Sequence, residues 1–395
     1  MQDVVADLER WQKEGEEIAL ATVVRSWSST PRPAGARLAI TRSGRMAGSV
    51  SGGCVEGDVF ERAMAVLDSQ RPLVVHYGIS DEMAFQVGLS CGGAIEVFVE
   101  PFRPDPAWEA VRQTLAEQRP CALAIGLAPL ALQGRQLAVL DEDTLVGGLD
   151  QELDQAVAAR ARQLLLEGGA EVLALPWREE EAAIFVEAFP PQPHLLIVGA
   201  THVAISLCQM AKALGFRVSV IDARSPFATR ERFPEADELL VAWPDEVLER
   251  IHLNPYAYLV ILTHDPKFDI PTLSRALRSE ARYIGIMGSR GTHERRKKQL
   301  REMGYSEEEM ARIRAPIGLD LGARSPQETA LAILAEIIAT RYGRDARPLS
   351  ERTEHIHARA EARSDTASQV ERLAIRAGPL PPASRMQEAP NDQQH

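Results

Sequence analysis

Two short stretches set a thiol beside paired glycines: Ser49-Val50-Ser51-Gly52-Gly53-Cys54-Val55-Glu56 and Cys91-Gly92-Gly93. Cys54 stands just before an expected helix, and a thiol near a helix N-terminus is more acidic than usual, which suits sulfur chemistry or a soft metal. Against this stands inert packing, since cysteine is among the most buried residue types. Two similar loops in one half of the chain favour the chemical reading for both. Cys121 and Cys208 lie in apolar periodic segments and read as core. The four cysteines form no CxxC pair, so neither a zinc site nor a disulfide framework is expected.

Three further stretches suit an anion. Gly199-Ala200-Thr201-His202-Val203-Ala204 joins an apolar strand to a periodic helix, where a dinucleotide fold carries G-x-G-x-x-G/A. Gly199 suits the tight turn and Ala204 close helix packing, but Thr201 stands at the second glycine position. Its Cβ intrudes on a pyrophosphate, while its hydroxyl can donate to a phosphate oxygen. Asp222 follows Gly199 by 23 residues, near the spacing of a ribose-binding carboxylate. Thr263-His264-Asp265-Pro266-Lys267-Phe268-Asp269 ends another strand; His264 and Asp265 read as ligand contacts or as ordinary capping residues, and Asp269 as a cap. Met287-Gly288-Ser289-Arg290 ends a third, with Gly288 and Ser289 suited to an anion-binding turn and Arg290 to bidentate pairing with phosphate. Arg295, Arg296, Lys297 and Lys298 beyond it read as a solvated helix face. No catalytic residue is assigned.

The elements that must position these residues follow from periodicity. Residues 19–50 and 122–149 both read strand, loop, strand, turn, strand; each is preceded by a helical pattern, and each is followed by another helix and two strands. Residues 1–190 are therefore expected to be a duplicated α+β unit, with copies at 1–104 and 105–190. Both Gly-Gly and Cys loops fall in the first copy, which leaves the second as scaffold. The linker FPPQPHL leads into alternating strands and helices over 191–343, the pattern of a Rossmann-like, doubly wound parallel sheet. Residues 344–395 have no aromatic residue and read as a largely disordered tail. The duplicated unit offers sheet surface that one α/β domain leaves uncovered, which suggests a homodimer.

Composition narrows the class. The 395 residues are 45% hydrophobic and 25% charged, as in a globular protein of two or three domains. A net charge of −12 argues against nucleic acid or an anionic membrane as partner. The longest nearly unbroken apolar run, 122–132, is too short to span a bilayer, and the first residues lack a secretory pattern, so the expected location is the cytoplasm.

Taken in order, STPRPAGARLAITRSGRMAGSVSGGCVEGDV, LSCGGAIEVFVE, LLIVGATHVA, LTHDPKFDIPTL, YIGIMGSR and PIGLDLGARSPQETALAILAEIIATR resemble the XdhC/CoxI family, accessory proteins that mature molybdenum hydroxylases. The resemblance implies an N-terminal XdhC/CoxI domain followed by a Rossmann-like domain. It also implies a chaperone rather than a catalyst, one that binds the molybdenum cofactor, as molybdopterin or its dinucleotide form. Such a chaperone protects its cargo, assists sulfuration with a cysteine desulfurase as donor, and inserts it into a xanthine dehydrogenase-type apoenzyme. By position, Cys54 and Cys91 would stand near the molybdenum or the sulfur source. The Gly199 turn, with Thr201 and His202, and Gly288 to Arg290 would stand near the cofactor's phosphate. The family pattern has a second glycine where this chain has Thr201. The competing classes are an NAD(P)-dependent oxidoreductase, motivated by Gly199 and Asp222 but lacking an evident Tyr–Lys pair, and a pure interaction scaffold.

Overall fold

The computed structural model describes residues 2–27, 30–78, 93–141 and 143–351. The chain opens with α1 (Gln2–Lys13), whose Val4, Leu8 and Trp11 recur at helical spacing and are buried. Then follow β1 (Ile18–Trp27), β2 (Arg37–Thr41), β3 (Met46–Gly48), α2 (Glu56–Ser69), β4 (Leu73–Tyr77) and β5 (Ala94–Pro101). The strands form an antiparallel sheet in the order β3-β2-β1-β5-β4. The chain then gives α3 (Pro106–Ala116), β6 (Cys121–Ala128), β7 (Gln136–Val139), β8 (Leu145–Gly147), α4 (Gln151–Glu167), β9 (Gly169–Trp177) and β10 (Glu180–Phe189), with sheet order β8-β7-β6-β10-β9. The two sheets have the same strand order, and the regions 1–104 and 105–190 are called the first and second copy below.

The copies pack sheet against sheet. Leu20, Ala39 and Phe98 from the first meet Leu123, Ile125 and Phe185 from the second, with α1 and α3 in the same core. The opposite face of the first sheet is covered by α2, through Val59, Ala63 and Val66, and that of the second by α4, through Leu153, Val157 and Ala161. Burial on both faces explains why β1 and β6 read as nearly continuous apolar runs instead of alternating. It also removes the argument for a homodimer, because each copy covers the surface that the other would leave open.

Between the sheets, Arg37 Nη2 donates to Glu187 Oε2 at 2.6 Å, and Arg37 Nη1 to Gly35 O at 3.0 Å. Glu187 lies in Phe-Val-Glu on β10, and its counterpart in Phe98-Val99-Glu100 on β5 is also buried. Glu100 has no ion pair within 4 Å among the described residues, and burial, against the nearby charge of Arg37, pushes its carboxyl up to about 8.

The C-terminal half comprises β11 (His194–Val198), α5 (His202–Ala213), β12 (Arg217–Ile221), β13 (Glu238–Leu240), α6 (Pro244–Leu248), β14 (Ala257–Ile261), α7 (Pro266–Leu277), β15 (Tyr283–Ile286), α8 (Arg290–Glu302), α9 (Glu307–Met310), β16 (Ile313–Arg314) and α10 (Pro326–Arg341). All six strands are parallel in the order β13-β12-β11-β14-β15-β16, the Rossmann arrangement. Helices α5 and α10 cover one face, α6 to α8 the other. The order reverses between β11 and β14, so the crevice of such a sheet opens at their carboxyl ends. No helix among the described residues is long and apolar enough to cross a membrane.

Candidate functional site

Three helices begin at the carboxyl ends of β11, β14 and β15, and the N-cap of each is a residue singled out above. Thr201 Oγ1 accepts from Ala204 N (3.4 Å) at the start of α5. Asp265 Oδ1 accepts from Lys267 N (3.0 Å) at α7, and Ser289 Oγ from Thr292 N (3.2 Å) at α8. The partial positive charges of three helix ends therefore face one edge of the sheet. Capping uses a lone pair of Thr201 and leaves its O–H able to donate to an anion. Asp265 is thus the cap, whereas Asp269, expected to cap, lies inside the first turn of α7. His202 and His264 are exposed.

Gly199 has φ +101°, and a Cβ there would lie 2.7 Å from Thr263 Cγ2, so the turn packs directly on the end of β14. Asp222, 1% exposed, locks that turn to β12. Its Oδ2 accepts from Ala200 N (2.8 Å) and Arg224 Nη2 (2.7 Å), its Oδ1 from Arg224 N and Nε (both 2.9 Å). Burial raises the pKa of such a group, but the hydrogen bonds from Arg224 and Ala200 outweigh it and hold the carboxyl below its usual range. A ribose hydroxyl would have to displace Arg224, so the structure gives Asp222 a bracing role and weakens the oxidoreductase reading.

Gly288 has φ +144°, and a Cβ there would come within 2.8 Å of Arg296 Nη1. Arg296 is buried, not solvated as its basic neighbourhood suggests: it donates to Asp269 Oδ2 through Nε (3.1 Å) and Nη2 (2.5 Å), and to Met287 O through Nη1 (2.9 Å). Thr263 Oγ1 completes the cluster by donating to Asp269 Oδ1 at 2.5 Å. Burial pushes the Asp269 carboxyl up, while Thr263 and Arg296 pull it back. This cluster ties the end of β14, α7 and α8 together. Sequence reasoning missed it, although Arg296 shares the helical spacing of buried His293 and Leu300. Arg290 is exposed and lines a cavity on the β16 side of α8.

In the first copy, Gly52 (φ +74°) and Gly53 (φ +114°) carry the chain to Cys54, which is partly buried against the α2 core. One carboxylate organises the loop. Glu56 Oε1 accepts from Ser49 Oγ (2.7 Å), Val50 N (3.2 Å) and Ser51 N (2.9 Å), and Oε2 from Ser51 Oγ and Gly53 N (2.9 Å). Burial opposes the charge, yet these bonds bring the Glu56 carboxyl down to about 2. The second copy has the same device without the cysteine: Asp154 Oδ1 accepts from Leu149 N (2.8 Å) and Asp150 N (3.2 Å). The Gly-Gly-Cys stretch thus hangs between anchor points that the scaffold copy retains.

Cys91 lies outside the described residues. Cys54 packs in the core of α2 and the first sheet, and the Gly199 turn in that of α5 and the parallel sheet. Cys121 and Cys208 are fully buried, and burial pushes their thiols up to about 12 and 11. No group of three or more metal-ligating side chains occurs among the described residues.

Comparison with known proteins gives a consistent picture. Residues 195–337 match the XdhC Rossmann domain and residues 11–78 the XdhC and CoxI family. The chain is 29% identical over 334 residues to a probable xanthine dehydrogenase subunit of Bacillus subtilis, covering 82% of this chain and 94% of that one. It is 27% identical over 327 residues to the molybdenum cofactor insertion chaperone PaoD of Escherichia coli, covering 83% and 84%. The crystal structure of a xanthine dehydrogenase from Bacillus halodurans superimposes with a TM-score of 0.58 at 26% identity, over 89% of this chain and 98% of that one.

Proposed function

The chain belongs to the XdhC and CoxI family, and from that premise we propose that it carries the molybdenum cofactor and inserts it into a xanthine dehydrogenase-type apoenzyme. The observation that carries the reading is the Cys54 loop: a thiol set on two left-handed glycines, fixed by five hydrogen bonds to Glu56, in the copy whose twin lacks it. In this reading the helix ends at Thr201, Asp265 and Ser289, with His202, His264 and Arg290, receive the phosphorylated end of molybdopterin or of its dinucleotide form. Cys54 and Cys91 face the molybdenum while oxo is exchanged for sulfido, with sulfur from a cysteine desulfurase. The reading sets this handover in the cytoplasm.

The test is to mix the purified protein with molybdopterin, gel-filter it, and measure pterin fluorescence after oxidation. Co-eluting pterin is expected, with about tenfold less retained by Cys54→Ser. No co-eluting pterin in the wild type overturns the reading. A second reading, NAD(P) binding, is supported by the strand order and the Gly199 turn. It requires nicotinamide nucleotide binding that is lost in Asp222→Ala.

A further inference from the structure

Four side chains that the carrier reading leaves unused form one array at the carboxyl edge of the parallel sheet. Arg224 and Phe227 lie in the loop after β12, Trp243 precedes α6 after β13, and Phe268 stands in the first turn of α7 after β14. Trp243 stacks on Phe268, with ring centres 4.7 Å apart and planes inclined by 19°. Arg224 Cζ lies 4.4 Å from the centre of the Phe227 ring and 6.0 Å from that of Phe268. The three rings and the guanidinium are therefore continuous. Phe268 is nearly buried and backs the array, yet Trp243 is 42% exposed and Phe227 43%. A single exposed ring needs no explanation, but a joined set of them beside a cleft marks a binding surface.

The array adjoins the phosphate end proposed above. Asp222 accepts from Ala200 N in the Gly199 turn and from Arg224 Nη2, so one carboxylate links the guanidinium to the start of α5. Phe268 follows the α7 cap, Asp265, by three residues. A ligand whose phosphate meets these helix ends thus has stacking faces beside it. Indole, phenyl and guanidinium faces all hold planar heteroaromatic rings. Arg224 also selects among such rings. Its Nε and Nη2 are taken by Asp222, whereas Nη1 makes no hydrogen bond among the described residues and can donate to an exocyclic oxygen. Guanine and cytosine carry such an oxygen; adenine does not.

We propose that Trp243, Phe227 and Arg224 form a seat for an oxo-bearing nucleobase, guanine or cytosine, and that the cargo is held in its dinucleotide form. The inference rests on the carrier reading and deepens it: the phosphates stay at the helix ends and the base lies on the array.

Calorimetric titration of the full chain with GMP, CMP, AMP and ribose 5-phosphate tests the assignment. The better of GMP and CMP should bind about tenfold more tightly than ribose 5-phosphate, which has the phosphate without the base, and more tightly than AMP. Trp243→Leu should remove about tenfold of that affinity, and Trp243→Phe, which keeps a ring, should restore most of it. The Trp243 side chain makes no capping bond to α6, and circular dichroism checks that both variants fold; if Trp243→Leu does not, Phe227→Leu takes its place. Absence of saturable nucleotide binding, equal affinity for AMP or ribose 5-phosphate, or wild-type affinity in the folded leucine variant overturns the proposal. Molybdopterin retention by the wild type separates the two levels. Retention without a base preference overturns the base seat alone, and a base preference without retention overturns the carrier reading.

Discussion

At the scale of single residues, Glu56 and Gly288 set the geometry of the candidate sites. Glu56 holds the Cys54 loop, so Glu56→Ala should free the loop and change the rate of Cys54 alkylation by iodoacetamide by about tenfold, while Glu56→Gln, which keeps part of the bonding, should change it less. The folded pKa of Glu56 is depressed to about 2 from 4.5. Its support is therefore complete above about pH 4.5 and is lost as pH falls through about 2, which an alkylation or proteolysis profile across that range would show. Gly288 has the opposite role, that of leaving room. Gly288→Ala forces a Cβ against Arg296 at a positive φ, and urea unfolding should show a loss of about 1–3 kcal/mol.

At the scale of elements, the carboxyl edge of the parallel sheet is held by the Thr263–Asp269–Arg296 cluster. Removing one partner of a buried ion pair strands the other's charge, so Arg296→Met should cost about 3–5 kcal/mol in urea unfolding. Replacing both partners, as in Asp269→Leu with Arg296→Met, should recover most of that loss, because neither charge is then left buried alone. The caps Thr201 and Ser289 read in the sequence as anion contacts, and Asp269 as the cap that Asp265 supplies, but the strands and helices of this half were legible from apolar runs and helical periodicity. Arg296 was not, because a run of basic residues looks alike whether one of them turns inward or all face water.

At the scale of the whole molecule, the two N-terminal copies meet across Arg37 and Glu187, and Glu100 lies buried near Arg37. Its folded pKa of about 8 lies above the unfolded 4.5, so the folded state holds a proton that the unfolded chain releases. Its contribution is fully present below about pH 4.5 and declines as pH rises to about 8. Glu100→Gln should therefore stabilise the protein more at pH 8.5 than at pH 5 in thermal melts. A variant whose Tm shift is the same at both pH values would show that the carboxyl is not protonated in the folded state.

Periodicity and turn residues determined the antiparallel units, the parallel sheet and the position of each glycine turn, because those signals act between residues a few places apart along the chain. Tertiary structure decided the partners. The bond from Arg37 to Glu187 joins residues 150 apart in sequence, and that from Arg296 to Asp269 joins residues 27 apart. Which carboxylate a buried guanidinium meets depends on how whole sheets and helices stack. No local pattern carries that information, since the same charged residue is stable in water or inside the fold only according to what the folded chain brings beside it.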